Sequence, residues 1–153
     1  MSPESRMTEL GLTLPPVPKA GGIYKPVVRV GNLLYVSGHG PMRSDGTLIT
    51  GKVGLDLTEQ EGFEAARAVG LTLLATVRNA LGSLDRIQRT IKTLGMVNST
   101  PDFQRHPAVI NGFSQLLRDL FGEEGVGARS AVGMGSLPGN IAVEVEVIFE
   151  LKD

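Results

Sequence analysis

The strongest constraint on the fold of this chain is a strict alternation of side chains near its C-terminus. Residues 141–151 have the sequence IAVEVEVIFEL. Because successive side chains of a β-strand point to opposite faces, this order predicts a strand with one face in a core and the other toward water, a partner or a substrate. The core-facing set comprises Ile141, Val143, Val145, Val147, Phe149 and Leu151, and the opposite set comprises Ala142, Glu144, Glu146, Ile148 and Glu150.

A second strand is expected just upstream, with Arg129 near its start. The run Gly135-Ser136-Leu137-Pro138-Gly139-Asn140 has the composition of a tight reversal, so the two strands are predicted to form an antiparallel pair. Such a pair would bring Arg129 close to one of the carboxylates of the last strand. On spacing alone, we interpret that contact as a cross-strand salt bridge.

The first half of the chain shows a leader, a hairpin and a helix. Residues 1–21 are polar and then rich in proline, which predicts a loose leader before a domain over 22–153. Two short β-like runs, 27–30 and 33–37, flank Gly31-Asn32 and predict a hairpin. The capping box Thr58 to Glu61 begins a helical apolar pattern that lasts until Leu81, and Gly82 suits its end.

The second half contains a long strand and a second helix. Residues 87–97 are predicted to form the strand, and Pro107 fits the first turn of a helix that Gly122 ends. The element order favours an α+β domain, in which a single mixed sheet carries both helices on one face. The other sheet face would then expose Leu94, Met96 and Ile148, and burial in an oligomer would explain them.

Composition excludes several classes of function. The 153 residues suit one domain and contain no cysteine, so neither a disulfide framework nor a thiol nucleophile is available. The two histidines, His39 and His106, lie far apart without metal-ligand spacing, and we expect no metal. The net charge is −1 with no basic stripe, which argues against nucleic acid as a partner, and no apolar run is long enough to span a membrane. A cytoplasmic protein is the expectation.

Local motifs for catalysis are weak when each is taken alone. Ser37 lies two residues before His39, but it lacks the surroundings of a nucleophile elbow. The pair Gly133 and Gly135 lacks the third glycine of a dinucleotide-binding loop. Acidic residues at alternate strand positions are usually a solvated face. The residues by themselves therefore indicate an α+β domain and no particular reaction.

Several short motifs, taken together, resemble the RidA/YjgF family of enamine/imine deaminases. The clearest are Ala128-Arg129-Ser130, then Leu137-Pro138, then Val143-Glu144-Val145-Glu146. Tyr24, Ser37-Gly38 and Asn111 match in the same order along the chain. The resemblance implies a chorismate-mutase-like protomer and a homotrimer whose sheets face inward, with active clefts between neighbouring subunits. The family's older labels are endoribonuclease L-PSP and translation inhibitor.

The resemblance also implies a reaction and a set of site residues. Family members carry out metabolite damage control by hydrolysing reactive 2-aminoacrylate-like enamines and imines to 2-keto acids and ammonia, without metal or cofactor. By this resemblance, Arg129 would bind the substrate carboxylate and Glu144 would position the attacking water. The expected substrate-binding residues are Tyr24, Ser37, Gly38, Asn111 and Ala131.

This chain also departs from the family pattern. His39 occupies a position where glutamine is common, the leader is longer, and the segment 122–125 contains an insertion. These differences indicate a divergent branch. They leave open a non-catalytic trimer that binds small carboxylates, and a ribonuclease or translation inhibitor as a more remote alternative.

Overall fold

The computed structural model describes residues 1–153, which form three α-helices and five β-strands. Three short 3-10 turns lie at Leu84–Arg86, Gly122–Gly125 and Pro138–Asn140. In chain order, the helices and strands are α1 (Pro3–Glu9), β1 (Val27–Val30), β2 (Leu33–His39), α2 (Glu59–Leu81), β3 (Ile87–Asn98), α3 (His106–Phe121), β4 (Ala128–Met134) and β5 (Val143–Leu151).

The strands form one mixed sheet in the order β1-β2-β5-β3-β4, as the α+β prediction required. Only β3 and β4 are parallel, and every other neighbouring pair is antiparallel. The last strand lies at the centre of the sheet, and its predicted alternation is confirmed from Val143 to Leu151. Ala142, predicted on the opposite face, precedes the strand and is buried. Val143, Val145, Val147, Phe149 and Leu151 are buried, whereas the intervening residues are half-buried or exposed.

The predicted antiparallel pair of β4 with β5 is wrong. β4 runs parallel to β3 at the sheet edge, with Arg129 opposite Thr93, and β3 separates β4 from β5. The connection crosses the carboxyl end of β3, where the buried Asn98 amide donates to Asn140 Oδ1 and to the Ile141 carbonyl, each at 3.0 Å. Gly/Pro composition indicates that the chain turns, whereas long-range contacts decide beside which strand it returns.

Helices α2 and α3 cover one face of the sheet and supply most of the core. The predicted capping box is present, because Thr58 Oγ1 accepts from the Glu61 amide and Glu61 accepts from the Thr58 amide. The helices touch most closely at Gly112, where an added Cβ would overlap the Phe63 carbonyl. This contact brings the exposed side of α3 beside β4, where Arg129 lies.

Part of the expected loose leader is ordered. Ser2 caps α1, and Met7 is buried in the main core. The Glu4 carboxylate accepts from the Leu84 amide at 2.9 Å, while the Glu4 amide donates to Asp85 at the same distance. These contacts join the N-terminus to the loop after α2, which a local pattern of prolines could not reveal.

The sheet face away from the helices holds an apolar depression. It has a volume of about 330 Å³, and the half-buried Leu94 and Ile148 lie in it beside Tyr35 and Val28. Lys92 and Glu146 supply its charged groups. No helix of the chain has both the length and the apolar character needed to cross a bilayer.

Candidate active site

Arg129 lies on the helix-facing side of β4 and is held by neutral groups of α3. Its Nη1 donates to Asn111 Oδ1 at 2.8 Å and to Ser114 Oγ at 3.2 Å. It takes part in none of the six ion pairs of the chain. Burial lowers the pKa of the Arg129 guanidinium. A partly buried arginine without a counter-ion is suited to binding an anion.

The cavity beside Arg129 is cationic. It has a volume of about 430 Å³ and is lined by one further arginine, Arg118, by neutral polar groups and by the apolar side chains of Phe63 and Val126. No aspartate or glutamate lines it. Helical spacing explains its polar wall, because Asn111, Ser114 and Arg118 recur on one side of α3.

Glu144 belongs to the opposite face of the sheet. Its side chain lies against Gly38 of β2 so closely that an added Cβ at position 38 would overlap the carboxylate. Burial, and secondarily the negative charge of Glu146, raise the pKa of Glu144 above its ordinary value of 4.5. A carboxyl group with a raised pKa is a stronger base than an ordinary glutamate once it is ionised.

The backbone next to Glu144 departs from regular pairing. The register between β2 and β5 shifts between Val36 and His39, so Ser37 and Gly38 form a bulge. Ser37 Oγ donates to the Lys25 carbonyl at 2.6 Å. This bond engages the Ser37 hydroxyl with the backbone and not with the imidazole of His39, consistent with a structural interpretation of that motif.

The buried His39 anchors the bulge to α2. Its Nδ1 lies 2.6 Å from the Ser37 carbonyl, which can only accept, so Nδ1 carries the hydrogen. Its Nε2 lies 2.8 Å from Thr76 Oγ1 and accepts the threonine hydrogen. Burial lowers the pKa of His39, an effect larger than the opposing influence of the Ser37 carbonyl. His39 is therefore a neutral donor and acceptor.

Tyr24 lies beside the same bulge. Its side chain lines a cavity of about 290 Å³ together with Gly38 and His39, and part of the N-terminal segment forms the opposite wall. The Tyr24 hydroxyl accepts from the Gly21 amide at 3.1 Å. The Tyr24 phenol is thus held by Gly21, the last residue of the expected leader.

The predicted site residues thus fall into two clusters within one chain. One cluster is centred on Gly38, which contacts Glu144, follows Ser37 in the bulge and shares a cavity with Tyr24. In the other, Asn111 holds Arg129, and Ala131 lies two residues further along β4. The predicted approach of Arg129 to a carboxylate of β5 is wrong, because the side chains of Arg129 and Glu144 lie on opposite faces of the sheet. Sequence reasoning missed Ser114 and Arg118, although their helical spacing from Asn111 was available.

Fold and site together define an α+β protein with a mixed five-stranded sheet, a counter-ion-free arginine on one face and a perturbed carboxyl group on the other. Residues 4–151 match the family described as "YjgF/chorismate mutase-like, putative endoribonuclease". This chain belongs to that family, the YjgF/RidA family.

Solved structures agree with the assignment. A protein of unknown function from Agrobacterium tumefaciens is 45% identical, with a TM-score of 0.90 over 98% of this chain and 92% of that one. A "putative endoribonuclease" from Shewanella oneidensis is 36% identical, with a TM-score of 0.94 over 99% and 100%. RidA from an Antarctic Psychrobacter is 27% identical, with a TM-score of 0.61 over 88% and 94%.

Proposed function

We propose that this protein hydrolyses 2-imino acids, and the enamines that tautomerise to them, to 2-keto acids and ammonia. The observation that carries the proposal is Arg129, a partly buried cation held by Asn111 and Ser114 and lacking any acidic partner. Membership of the YjgF/RidA family and likeness to a protein named RidA support it.

Arg129 would bind the substrate carboxylate. Both hydrogens of Nη1 are used by Asn111 and Ser114, which orients the guanidinium and leaves the edge formed by Nε and Nη2 for a bidentate contact. A lysine would keep the charge but lose the fork geometry and the two orienting bonds. Arginine at this position is thus suited to bidentate binding of a carboxylate.

Glu144 would act as the base in the hydrolysis. The substrate reacts as the iminium ion, which is the protonated imine. The ionised Glu144 carboxylate takes a proton from a water molecule while the water oxygen bonds to C2 of the iminium ion, and the C=N π electron pair moves to nitrogen. The protonated Glu144 then gives that proton to the amine of the tetrahedral adduct. Ammonia leaves as the O–H electron pair forms the C=O bond of the ketone, and the hydroxyl proton passes to the Glu144 carboxylate. The backbone around Gly38, fixed by the bulge, would shape the opposite wall of the cleft.

The two clusters would meet between subunits. In one chain, the sheet separates Arg129 from Glu144, so a complete site requires the Arg129 cluster of one copy and the Glu144 cluster of another. The apolar depression around Leu94 and Ile148 is a surface that a homotrimer with inward-facing sheets would bury. A cytoplasmic location belongs to the same proposal.

A coupled assay tests the reaction. A pyridoxal-phosphate-dependent serine or threonine dehydratase would release the enamine, and keto-acid formation would be followed with and without this protein. We expect acceleration that Arg129→Lys reduces by about 10²-fold or more, because a charge-assisted bidentate contact is lost. Arg78→Lys is a matched control, since Arg78 pairs with Glu4 and neither residue lines the cavity.

A carboxylate-binding protein without catalysis is the second candidate, because Arg129 and its cavity would serve it equally well. The deaminase would be overturned in favour of this role by one result: the assembled wild-type protein binds 2-keto acids through Arg129 but accelerates hydrolysis of none of the imines offered. Titration calorimetry with 2-oxobutanoate on wild type and Arg129→Lys provides the binding measurement.

A further inference from the structure

We propose that Arg118 forms a second carboxylate subsite in the Arg129 cavity, so that this protein prefers 2-imino dicarboxylates over 2-imino monocarboxylates. The inference rests on the proposed function and specifies its substrate class. Its basis is the presence of two arginines in one cavity that has no acidic lining residue.

The spacing along α3 suits two anionic groups on one molecule. Ser114, which holds Arg129, and Arg118 are four residues apart, so they lie one above the other at about 6 Å along the helix axis. A carboxylate on Arg129 therefore leaves its substituent within reach of a flexible arginine one turn away.

Arg118 is available for a ligand. Its Nε lies 3.3 Å from Glu123 Oε1, and the two side chains are 50% and 82% exposed. An exposed pair of this kind contributes little to stability, so a substrate carboxylate can replace Glu123 without a large cost. Gln115, which also lines the cavity, already donates from its amide nitrogen to Asp119 Oδ1 at 2.8 Å.

The walls between the cations fit a short methylene chain. Phe63 and Val126 contribute apolar surface to the cavity, and Val126 is flanked by Gly125 and Gly127. A Cβ at position 125 would overlap the Leu117 carbonyl, and one at 127 would crowd the Thr90 carbonyl at 2.7 Å. This loop therefore lies tightly against α3 and β3, which gives the cavity a defined floor.

The test compares two imines of different charge on the assembled protein. An amino-acid oxidase would generate 2-iminoglutarate from glutamate or 2-iminopropanoate from alanine, with catalase present, and semicarbazide would trap the imine that escapes hydrolysis. We expect a higher kcat/KM for 2-iminoglutarate. Arg118→Gln should lower that value about tenfold and leave 2-iminopropanoate within about twofold, since one charged contact is removed.

Two further variants sharpen the result. Glu123→Gln removes the competing carboxylate and should raise kcat/KM for 2-iminoglutarate alone. Arg78→Gln removes an arginine of equal exposure that is also in a single ion pair, and kcat/KM should stay unchanged for both imines. Equal values of kcat/KM for the two imines, or an equal effect of Arg118→Gln on both, would overturn the second subsite while leaving the deaminase intact.

Product binding separates this inference from the reaction itself. If neither imine is hydrolysed, the proposed function fails. In that case, tighter binding of 2-oxoglutarate than of pyruvate, with the preference lost in Arg118→Gln, would still support the subsite. Equal affinities of the wild type for the two keto acids would overturn it. Titration calorimetry on the same protein preparations gives these affinities.

Discussion

At the scale of single residues, the candidate site depends on groups whose pKa values are shifted by burial. Arg129 is partly desolvated without an acidic partner, Glu144 has a raised pKa, and the buried His39 has a lowered one. Each is held by named neighbours, so each can be tested by a substitution that preserves shape and changes charge or hydrogen bonding.

Glu144→Gln should separate activity from stability. If Glu144 is the base, kcat/KM of the wild type should rise with pH through a pKa above 4.5, and the variant should lose about 10²- to 10⁴-fold and that pH dependence. The folded state binds more protons than the unfolded state above pH 4.5, so ionisation of Glu144 lowers stability as pH rises. We therefore expect urea unfolding at pH 8 to show a variant at least as stable as the wild type.

His39→Gln should preserve the fold and remove one source of acid sensitivity. The pKa of His39 is lowered below 6.5, so the unfolded state takes up a proton first, and this contribution to stability is lost as pH falls below about 6.5. Glutamine supplies a donor for Ser37 and an acceptor for Thr76. Urea unfolding should show that the free energy of unfolding differs less between pH 5 and pH 8 for the variant than for the wild type. An equal difference in the two proteins would contradict this role of His39.

At the scale of elements, the position of α3 determines where the Arg129 cluster lies. Asn111 and Ser114 can reach Arg129 only because α3 packs closely on α2 and beside β4. The closest point is Gly112, next to Asn111 in the chain. Helix packing and site geometry therefore depend on the same glycine.

Gly112→Ala should destabilise the protein despite a better helix propensity. The gain in propensity is about 1 kcal/mol, whereas overlap of the new Cβ with the Phe63 carbonyl requires a backbone shift that costs about 1–3 kcal/mol or more. Gly135→Ala is the control, since it has open space around its Cβ position and no left-handed φ. Denaturant unfolding should show a lower midpoint for the first variant only.

At the scale of the whole molecule, the sheet itself separates the two clusters, and this makes assembly a requirement of the proposed reaction. Arg129 and Glu144 lie on opposite faces of one sheet, and the helix-free face is partly apolar. The proposed homotrimer, with clefts between subunits, would account for both observations.

Mixing two inactive variants should therefore restore activity. In the proposed ring, each site takes Glu144 from one subunit and Arg129 from the next. When equimolar Arg129→Ala and Glu144→Gln chains are refolded together, each of these two residues is intact at about half of the sites, so about one quarter of wild-type activity should return. Refolding each variant alone is the control. Absence of recovery, despite mixed assemblies seen by native mass spectrometry, would count against a shared site.

A charge placed on the helix-free face should dissociate the assembly. Leu94→Asp puts a carboxylate into the apolar depression, and burial of that unpaired charge in an interface would be strongly unfavourable. Leu55→Asp is the control, because Leu55 is 73% exposed in a loop outside that depression. Sedimentation velocity should show smaller particles for Leu94→Asp only, with helical circular dichroism retained in both.

The sequence alone determined the family and much of the local structure, because those depend on neighbours in the chain. Alternation predicted the buried face of β5, the capping box at Thr58 located the start of α2, and the motifs around Arg129 and Glu144 indicated the family. Each signal lies in a short window, where side-chain periodicity and hydrogen bonding to the nearby backbone are sufficient.

Only the tertiary structure decided which elements meet. It placed β4 beside β3 and not β5, directed Arg129 toward α3, fixed α1 against the loop after α2, and brought Arg118 into the Arg129 cavity. The physical reason is that strand edges and helix faces compete for partners across the whole chain. That competition is settled by long-range contacts, such as those of Asn98 and Gly112, which no local pattern contains.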